Sequence, residues 1–278
     1  MKELSFDKKA INASLQIQEI RKNQLMALSE LIIEQLDKKG FADINFICTH
    51  NSRRSQLAEY CLSHFLNNFG VKNIYTYSGG TEATALNERI IQSLNRANID
   101  VNSFGDAKNP RHQIAGLDKI FYSKKYDDPF NPKDGFIAVM VCNDADENCP
   151  VVNGATKRFS LQYIDPKLSD DSPDETDVYD AKLIEIGSEM YLLSKLVLKN
   201  VLPLVCENSP VAVELKEGVK YSWCSCGLSS IQPFCDGQHR GTSYTPIKFV
   251  AEESKTVYFC NCKQTKNACF CDGSHNSL

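Results

Sequence analysis

Apolar positions in SLQIQEIRKNQLMALSELIIEQLDK (residues 14–38) recur at helical spacing, and the run stops at Gly40, so the pattern predicts a helix closed by a glycine stop. DINFIC (43–48) is a short continuous apolar run of the kind that forms a buried strand, and SQLAEYCLSHFLNNF (55–69) returns to the helical period. The alternation then repeats. NIYTYSGG (73–80) predicts a strand and LNERIIQSLNRANI (86–99) a helix; GLDKIFYS (116–123) and FIAVMVC (136–142) predict two more strands. VYDAKLIEIGSEMYLLSKLVLK (178–199) closes the unit as a long amphipathic helix. Strands alternating with helices imply an α/β fold, a parallel sheet covered on both faces.

IDPKLSDDSPDETD (164–177) is acidic and rich in turn formers, hence a loop. Around residues 200–210 the pattern breaks, and Pro203 and Pro210 mark a linker. Beyond it stands an internal repeat, CSCGLSSIQPFCDGQH from Cys224 and CNCKQTKNACFCDGSH from Cys260, 36 residues apart. The expected organisation is a helical extension (1–40), an α/β domain (41–202) and a small cysteine-rich domain (203–278).

Composition narrows the function. A net charge of −4 argues against nucleic-acid binding driven by phosphate neutralisation. MKELSFDKKA lacks a secretory apolar core, and no run of ~18 apolar residues is present to span a bilayer, so the expected location is cytoplasmic, with no membrane partner. Of 12 cysteines, seven crowd between Cys224 and Cys271. In a reducing compartment that crowding points to metal binding or catalysis rather than disulfides.

Cys48 ends a predicted strand and Arg54-Ser55 open a helix, giving C-x5-R-S. Five residues between a strand and a helix N-terminus can wrap their amides into an oxyanion cradle, whose field favours a negative sulfur, the nucleophilic form. Arg54 would grip two oxygens of the anion in a fork, Ser55 would donate to the sulfur, and Asn51 tolerates the left-handed backbone such a loop needs. The bland alternative is a buried cysteine before an ordinary helix.

FICTHNSRRSQLAE resembles the phosphate-binding loop of low-molecular-weight protein tyrosine phosphatases and of the thioredoxin-coupled arsenate reductases that share their fold. VCNDADENCP (141–150) resembles the reductase redox loop, IDP (164–166) its Asp-Pro pair, and YSGGTEATALN (77–87) the family's strand end; the likeness spans about residues 43–200. It implies that Cys48 attacks arsenate while Asn51, Ser52, Arg53 and Arg54 hold the oxyanion. Asp165 is then the acid that protonates the leaving oxygen. Cys142 releases arsenite as a Cys48–Cys142 disulfide, and Cys149 passes the oxidation to a thioredoxin-like reductant. The polar 143–148 segment is expected to be a mobile arm. The resemblance also implies a monovalent cation near the loop, at Asn51, Glu59 and Ser78.

Departures are plain: His50 stands where the family has glycine, and Arg53 where it has a second loop cysteine. About twenty extra residues, including KKYDDPFNPKDG, precede Cys142, and Asp128-Pro129-Phe130 within them competes with Asp165 as the acid. Cys61, His64 and His112 read as packing residues. Two rivals stand beside the reductase: a phosphatase hydrolysing a phosphomonoester through Cys48, and a non-enzymatic redox or oxyanion sensor.

In the repeat, Cys224, Cys226, Cys235 and His239 form one set of soft ligands and Cys260, Cys262, Cys271 and His275 a second. Each could close around zinc or hold a two-iron cluster. Both copies resemble the CDGSH iron–sulfur domain, which implies two [2Fe–2S] clusters, with Asp236 and Asp272 capping a short helix that carries the histidine. Cys269, where the pattern has proline, is a spare thiol.

Overall fold

The computed structural model describes residues 5–148, 151–201, 203–240, 242 and 244–278. They form two compact units, residues 1–197 and 198–278. Among the described residues no helix is long and apolar enough to cross a membrane.

The predicted 14–38 helix is α2 (Glu19–Lys39), and a separate helix, α1 (Phe6–Ser14), precedes it. The break follows from Ser14, whose hydroxyl turns back to donate to the Ile11 carbonyl (2.6 Å), and from the extended backbone of Gln18. Gly40, left-handed at φ 77°, ends α2 as the sequence requires. These residues are part of the first unit's core. Leu25, Leu28 and Ile32 are buried, and Phe6 lies so close to Gly187 that a Cβ there would meet its ring at 2.8 Å.

After α2 the first unit runs β1 (Ala42–Cys48), α3 (Arg54–Asn68), β2 (Ile74–Gly80), α4 (Glu88–Arg96), β3 (Val101–Phe104), β4 (Arg111–Ile114), β5 (Ile120–Phe121), β6 (Phe136–Met140), α5 (Asn143–Asn148), β7 (Ala155–Ser160) and α6 (Glu175–Val201). The main sheet has the order β2-β1-β6-β7, all parallel. β1 and β6 are buried along their whole length, which explains the unbroken apolar sequence of β6 and the mostly apolar one of β1, where Asp43 and Asn45 are buried too. The α/β class is therefore as expected, with two differences in detail. Only Ile120 and Phe121 of the predicted 116–123 strand are extended, and they join β3 and β4 in a separate antiparallel sheet. The fourth strand is β7, whose largely exposed ATKRFS carries no apolar run to announce it.

The second unit has four short strands, β8 (Val211–Glu214), β9 (Lys220–Trp223), β10 (Ile247–Val250) and β11 (Thr256–Phe259). They pair antiparallel as β8 with β11 and β9 with β10, so the two repeats are interleaved. Leu215, Trp223, Ala251 and Phe259 form the core, with Tyr221, Phe234, Phe249 and Phe270 against it.

Candidate functional site

Cys48 is the last residue of the buried strand β1, and Arg54 the first of α3, so the chain reverses over five residues at the C-terminal edge of the sheet. Asn51, at the turn's apex, takes φ 47°. Its side chain fixes the loop: Oδ1 accepts from the Lys124 amide (2.9 Å) and Gln56 Nε2 (3.1 Å), and Nδ2 donates to Ser55 Oγ (2.9 Å). Ser52 Oγ donates to the Ala85 carbonyl at 2.6 Å. Gly80, beside Cys48 in the sheet, has no room for a side chain, because a Cβ would lie 2.2 Å from the Glu82 carbonyl and 2.6 Å from that of Thr49.

The sulfur of Cys48 lies 3.1 Å from Ser55 Oγ, so the hydroxyl that opens the helix is the sulfur's partner. Arg54 donates through one terminal nitrogen to the Tyr163 carbonyl (2.9 Å) and through the other to Asp165 Oδ2 (2.6 Å). Its Nε is buried with no partner. An unsatisfied guanidinium N–H beside a small cavity lined by Cys48, His50, Ser52, Arg53, Arg54 and Asp165 is what an oxyanion site leaves when only protein is counted. That cavity is about 10 Å³, the size of one water, with the Arg54–Asp165 pair at its wall. A larger opening of about 510 Å³, lined by Arg54, Asn143, Gln162, Tyr163, Ile164 and Asp165, is available on that side.

The Arg53 side chain, though it lines the cavity, is held by other partners: Nε donates to Tyr179 OH (2.9 Å) and a terminal nitrogen reaches Asp170 (3.3 Å), which leaves the loop backbone for an oxyanion. His50 turns outward, with Nε2 3.7 Å from Glu82. Asp128 is held by the Tyr122 hydroxyl and the Phe130 amide (3.0 Å each), so of the two competing acids the structure brings Asp165 to Arg54.

Cys142 follows β6 and is buried. Its sulfur accepts from the Ala145 amide (3.4 Å) and lies 3.6 Å from Thr49 Oγ1, next in sequence to Cys48. The expected mobile arm is, through Asn148, the short helix α5, pinned where Asp146 accepts from Ser160 (2.8 Å) and Gln162 (2.7 Å). Cys149 lies outside the described residues. Cys61, as expected, is a buried hydrophobe, and burial pushes its thiol well above the ordinary range.

In the second unit the two copies superpose bond for bond. The Cys224 amide donates to the Pro233 carbonyl and that of Cys260 to the Cys269 carbonyl (2.9 Å each). Cys235 and Cys271 return to the Ser222 and Tyr258 carbonyls (2.8 Å each). The soft ligands come in pairs: Cys224–Cys226 at 3.6 Å and Cys235–His239 Nδ1 at 3.1 Å, then Cys260–Cys262 at 3.4 Å and Cys271–His275 Nδ1 at 3.3 Å. Among the described residues no three His, Cys, Asp or Glu side chains form a group that could hold a metal ion. Three thiols and an imidazole per copy are the donor types that zinc or a two-iron cluster takes. Asp236 and Asp272 accept from the amides two residues on (3.1 and 3.0 Å), as turn formers. Among the described residues the second copy has a short 3-10 helix, Ser274–Ser277, with Gly273 as its N-cap residue and Asp272 accepting from its first amide.

Comparison with known proteins accords with this geometry. Residues 43–124 match the family described as low molecular weight phosphotyrosine protein phosphatase. Arsenate reductase 2 of Staphylococcus haemolyticus is 32% identical over 131 residues, 47% of this chain and 81% of that protein. The chain belongs to the low-molecular-weight phosphatase and arsenate reductase family. Residues 196–240 match the iron-binding zinc finger of CDGSH type, so the C-terminal region carries a CDGSH domain. A mouse protein named CDGSH iron-sulfur domain-containing protein 3, mitochondrial, is 47% identical over 54 residues, 19% of this chain and 39% of that protein; the chain thus spans less than half of that relative's length. The solved structure of an arsenate reductase from Archaeoglobus fulgidus is 20% identical, with a TM-score of 0.37, covering 54% of this chain and 98% of that one.

At the position implied for a monovalent cation, Lys119 Nζ lies 2.7 Å from Glu59 Oε1 and Asn51 Oδ1 accepts two hydrogen bonds, while Glu59 Oε2 and Ser78 Oγ are buried with no partner. Burial alone would push the Glu59 carboxyl up; Lys119 and Lys124 outweigh it and hold the group below the ordinary glutamate range. Lys119 and Thr49 were missed from sequence because each acts on a partner brought near only by the fold; the family's strand end flagged Gly80 but not what packs on it.

Proposed function

We propose that the first unit reduces arsenate to arsenite by a thiol relay and that the CDGSH domain holds two [2Fe–2S] clusters. The observation that carries the first half is the placement of Cys48 against Ser55 at the mouth of the Arg54 cavity, with the Cys142 sulfur beside the neighbouring Thr49. The incoming oxyanion takes over the guanidinium contacts held by Asp165. The Cys48 sulfur bonds to arsenic, and Asp165 gives a proton to the oxygen that leaves as water. Cys142 then attacks the Cys48 sulfur: an S–S bond forms, the S–As bond breaks, and arsenic keeps the electron pair and departs as arsenite. Cys149 exchanges onto Cys142, and a dithiol reductant of the thioredoxin type restores the thiols.

In the C-terminal domain Cys224, Cys226, Cys235 and His239 would hold one cluster, and Cys260, Cys262, Cys271 and His275 the other. Such clusters supply one-electron storage.

The test is arsenate-dependent consumption of reduced thioredoxin. Wild-type protein should turn over, and Cys142→Ser should not, while hydrolysis of an aryl phosphate at Cys48 survives the change. A Cys142→Ser protein that still reduces arsenate refutes the relay. Aryl phosphate hydrolysis without any arsenate reduction by the wild type assigns the unit to phosphatase chemistry instead.

A further inference from the structure

Two of the differences between the repeats meet in the fold. With the copies aligned on Cys224 and Cys260, Trp223 corresponds to Phe259 and Gly227 to Lys263. Gly227 and Lys263 share a left-handed backbone, φ 80° and 63°. In the first copy glycine is required, because a Cβ would lie 2.1 Å from the Leu204 carbonyl. In the second copy the same conformation carries a lysine, at a cost of about 1 kcal/mol. Something must favour lysine there.

Lys263 is buried, at 6% exposure. Its ammonium sits 4.9 Å from the centre of the Trp223 ring and donates to the Cys260 carbonyl (3.3 Å) and Asn261 Oδ1 (3.2 Å). The Trp223 indole N–H donates to the same Cys260 carbonyl at 2.9 Å. Trp223 directly precedes Cys224, the first ligand of one set, and Cys260 is the first ligand of the other. The ammonium therefore stands at the seam between the two sites.

A buried ammonium is retained when negative charge faces it. The hydrogen bond to the Cys260 carbonyl and the contact with Trp223, the residue before Cys224, set the ammonium beside the first ligand of each set, whose sulfurs carry that charge.

We propose that Lys263, positioned by Trp223, is a shared positive charge that stabilises the added electron at both cluster sites and so raises both reduction potentials. The inference rests on the two-cluster reading. Each reduction adds one electron to one cluster, supplied by an external reductant, and a cation fixed in a low-dielectric core favours that added negative charge.

The experiment is a dithionite titration of the full-length, iron-loaded protein, followed by its visible spectrum, with iron content measured alongside. Lys263→Met, which keeps most of the side chain but not the charge, should move both midpoint potentials downward. Lys263→Arg should leave them near wild type, and Trp223→Phe, the residue of the second copy, should give a smaller downward shift. Full iron content with unmoved potentials in Lys263→Met, or a shift in one cluster alone, overturns the proposal. If Lys263→Met loses its iron, Trp223→Phe decides, and unmoved potentials there overturn it equally. Wild-type protein without iron would overturn the two-cluster reading and this inference together, and the iron measurement identifies that outcome.

Discussion

The two units both place cysteines at the ends of strands, yet they surround the sulfur differently. In the first unit the two described relay sulfurs meet oxygen or nitrogen: Cys48 lies against the Ser55 hydroxyl, and Cys142 against the Thr49 hydroxyl and the Ala145 amide. In the second, Cys224, Cys226 and Cys235 also accept from nitrogen donors, but the ligands in addition meet sulfur or imidazole, in four pairs from 3.1 to 3.6 Å. A sulfur ringed by donors is stabilised alone as a nucleophile. Sulfurs brought against one another carry mutually repelling charge that a metal centre relieves. In the second unit the close approach of Cys224 and Cys226 splits the pair, lowering one thiol and raising the other. What surrounds the sulfur, rather than the number of cysteines, separates attacking groups from ligands.

That contrast can be broken by substitution, most forcefully at Cys48. Cys48→Ser should lower arsenate turnover by about 10⁴-fold or more while leaving bound iron unchanged; a fall in iron would blur the two classes. Arg54→Lys should cost about 10²–10³-fold in kcat/KM, because an ammonium cannot fork across two oxygens. Cys224→Ser and Cys260→Ser should each remove about half of the iron, from about four to about two atoms per chain, with the thiol relay intact.

A stability effect follows in size. Glu59→Gln breaks the buried pair with Lys119 and should cost about 3 kcal/mol in denaturant unfolding at neutral pH. Because the folded state holds the Glu59 carboxyl below its ordinary value of 4.5, its contribution is complete above that pH and is lost as the pH falls through the lower, folded value. The gap between wild type and Glu59→Gln should therefore be constant above about pH 5 and narrow under stronger acid. A gap that widens on acidification would mean that Lys119 and Lys124 do not hold the charge. Smallest of all, Cys61→Ala should leave turnover and iron alone and cost about 1 kcal/mol, since Cys61 serves only as a buried hydrophobe.

Much of this was legible from the sequence where the determinants are local. DINFIC and FIAVMVC read as buried strands because both faces of β1 and β6 are covered, and Gly40 reads as a stop because glycine alone takes φ 77° without strain. The repeat in the second unit was visible because each copy uses the same residues for the same bonds. Pairings across long separations were not. Nothing in the local pattern couples Lys119 to Glu59, Thr49 to Cys142, or Trp223 to Lys263, and the Ser14 break after the first helix depends on one hydroxyl turning back on its own chain. The α5 helix was hidden by a sequence that suits a turn equally well.

The division of the cysteines by chemistry is tested most directly by mapping disulfides after the reduced, iron-loaded protein meets arsenate without any added reductant. Peptide mass spectrometry should find new bonds among Cys48, Cys142 and Cys149, with the seven cysteines from Cys224 to Cys271 still free of disulfide. Oxidation that falls among those seven, or that leaves Cys142 untouched, would contradict the account.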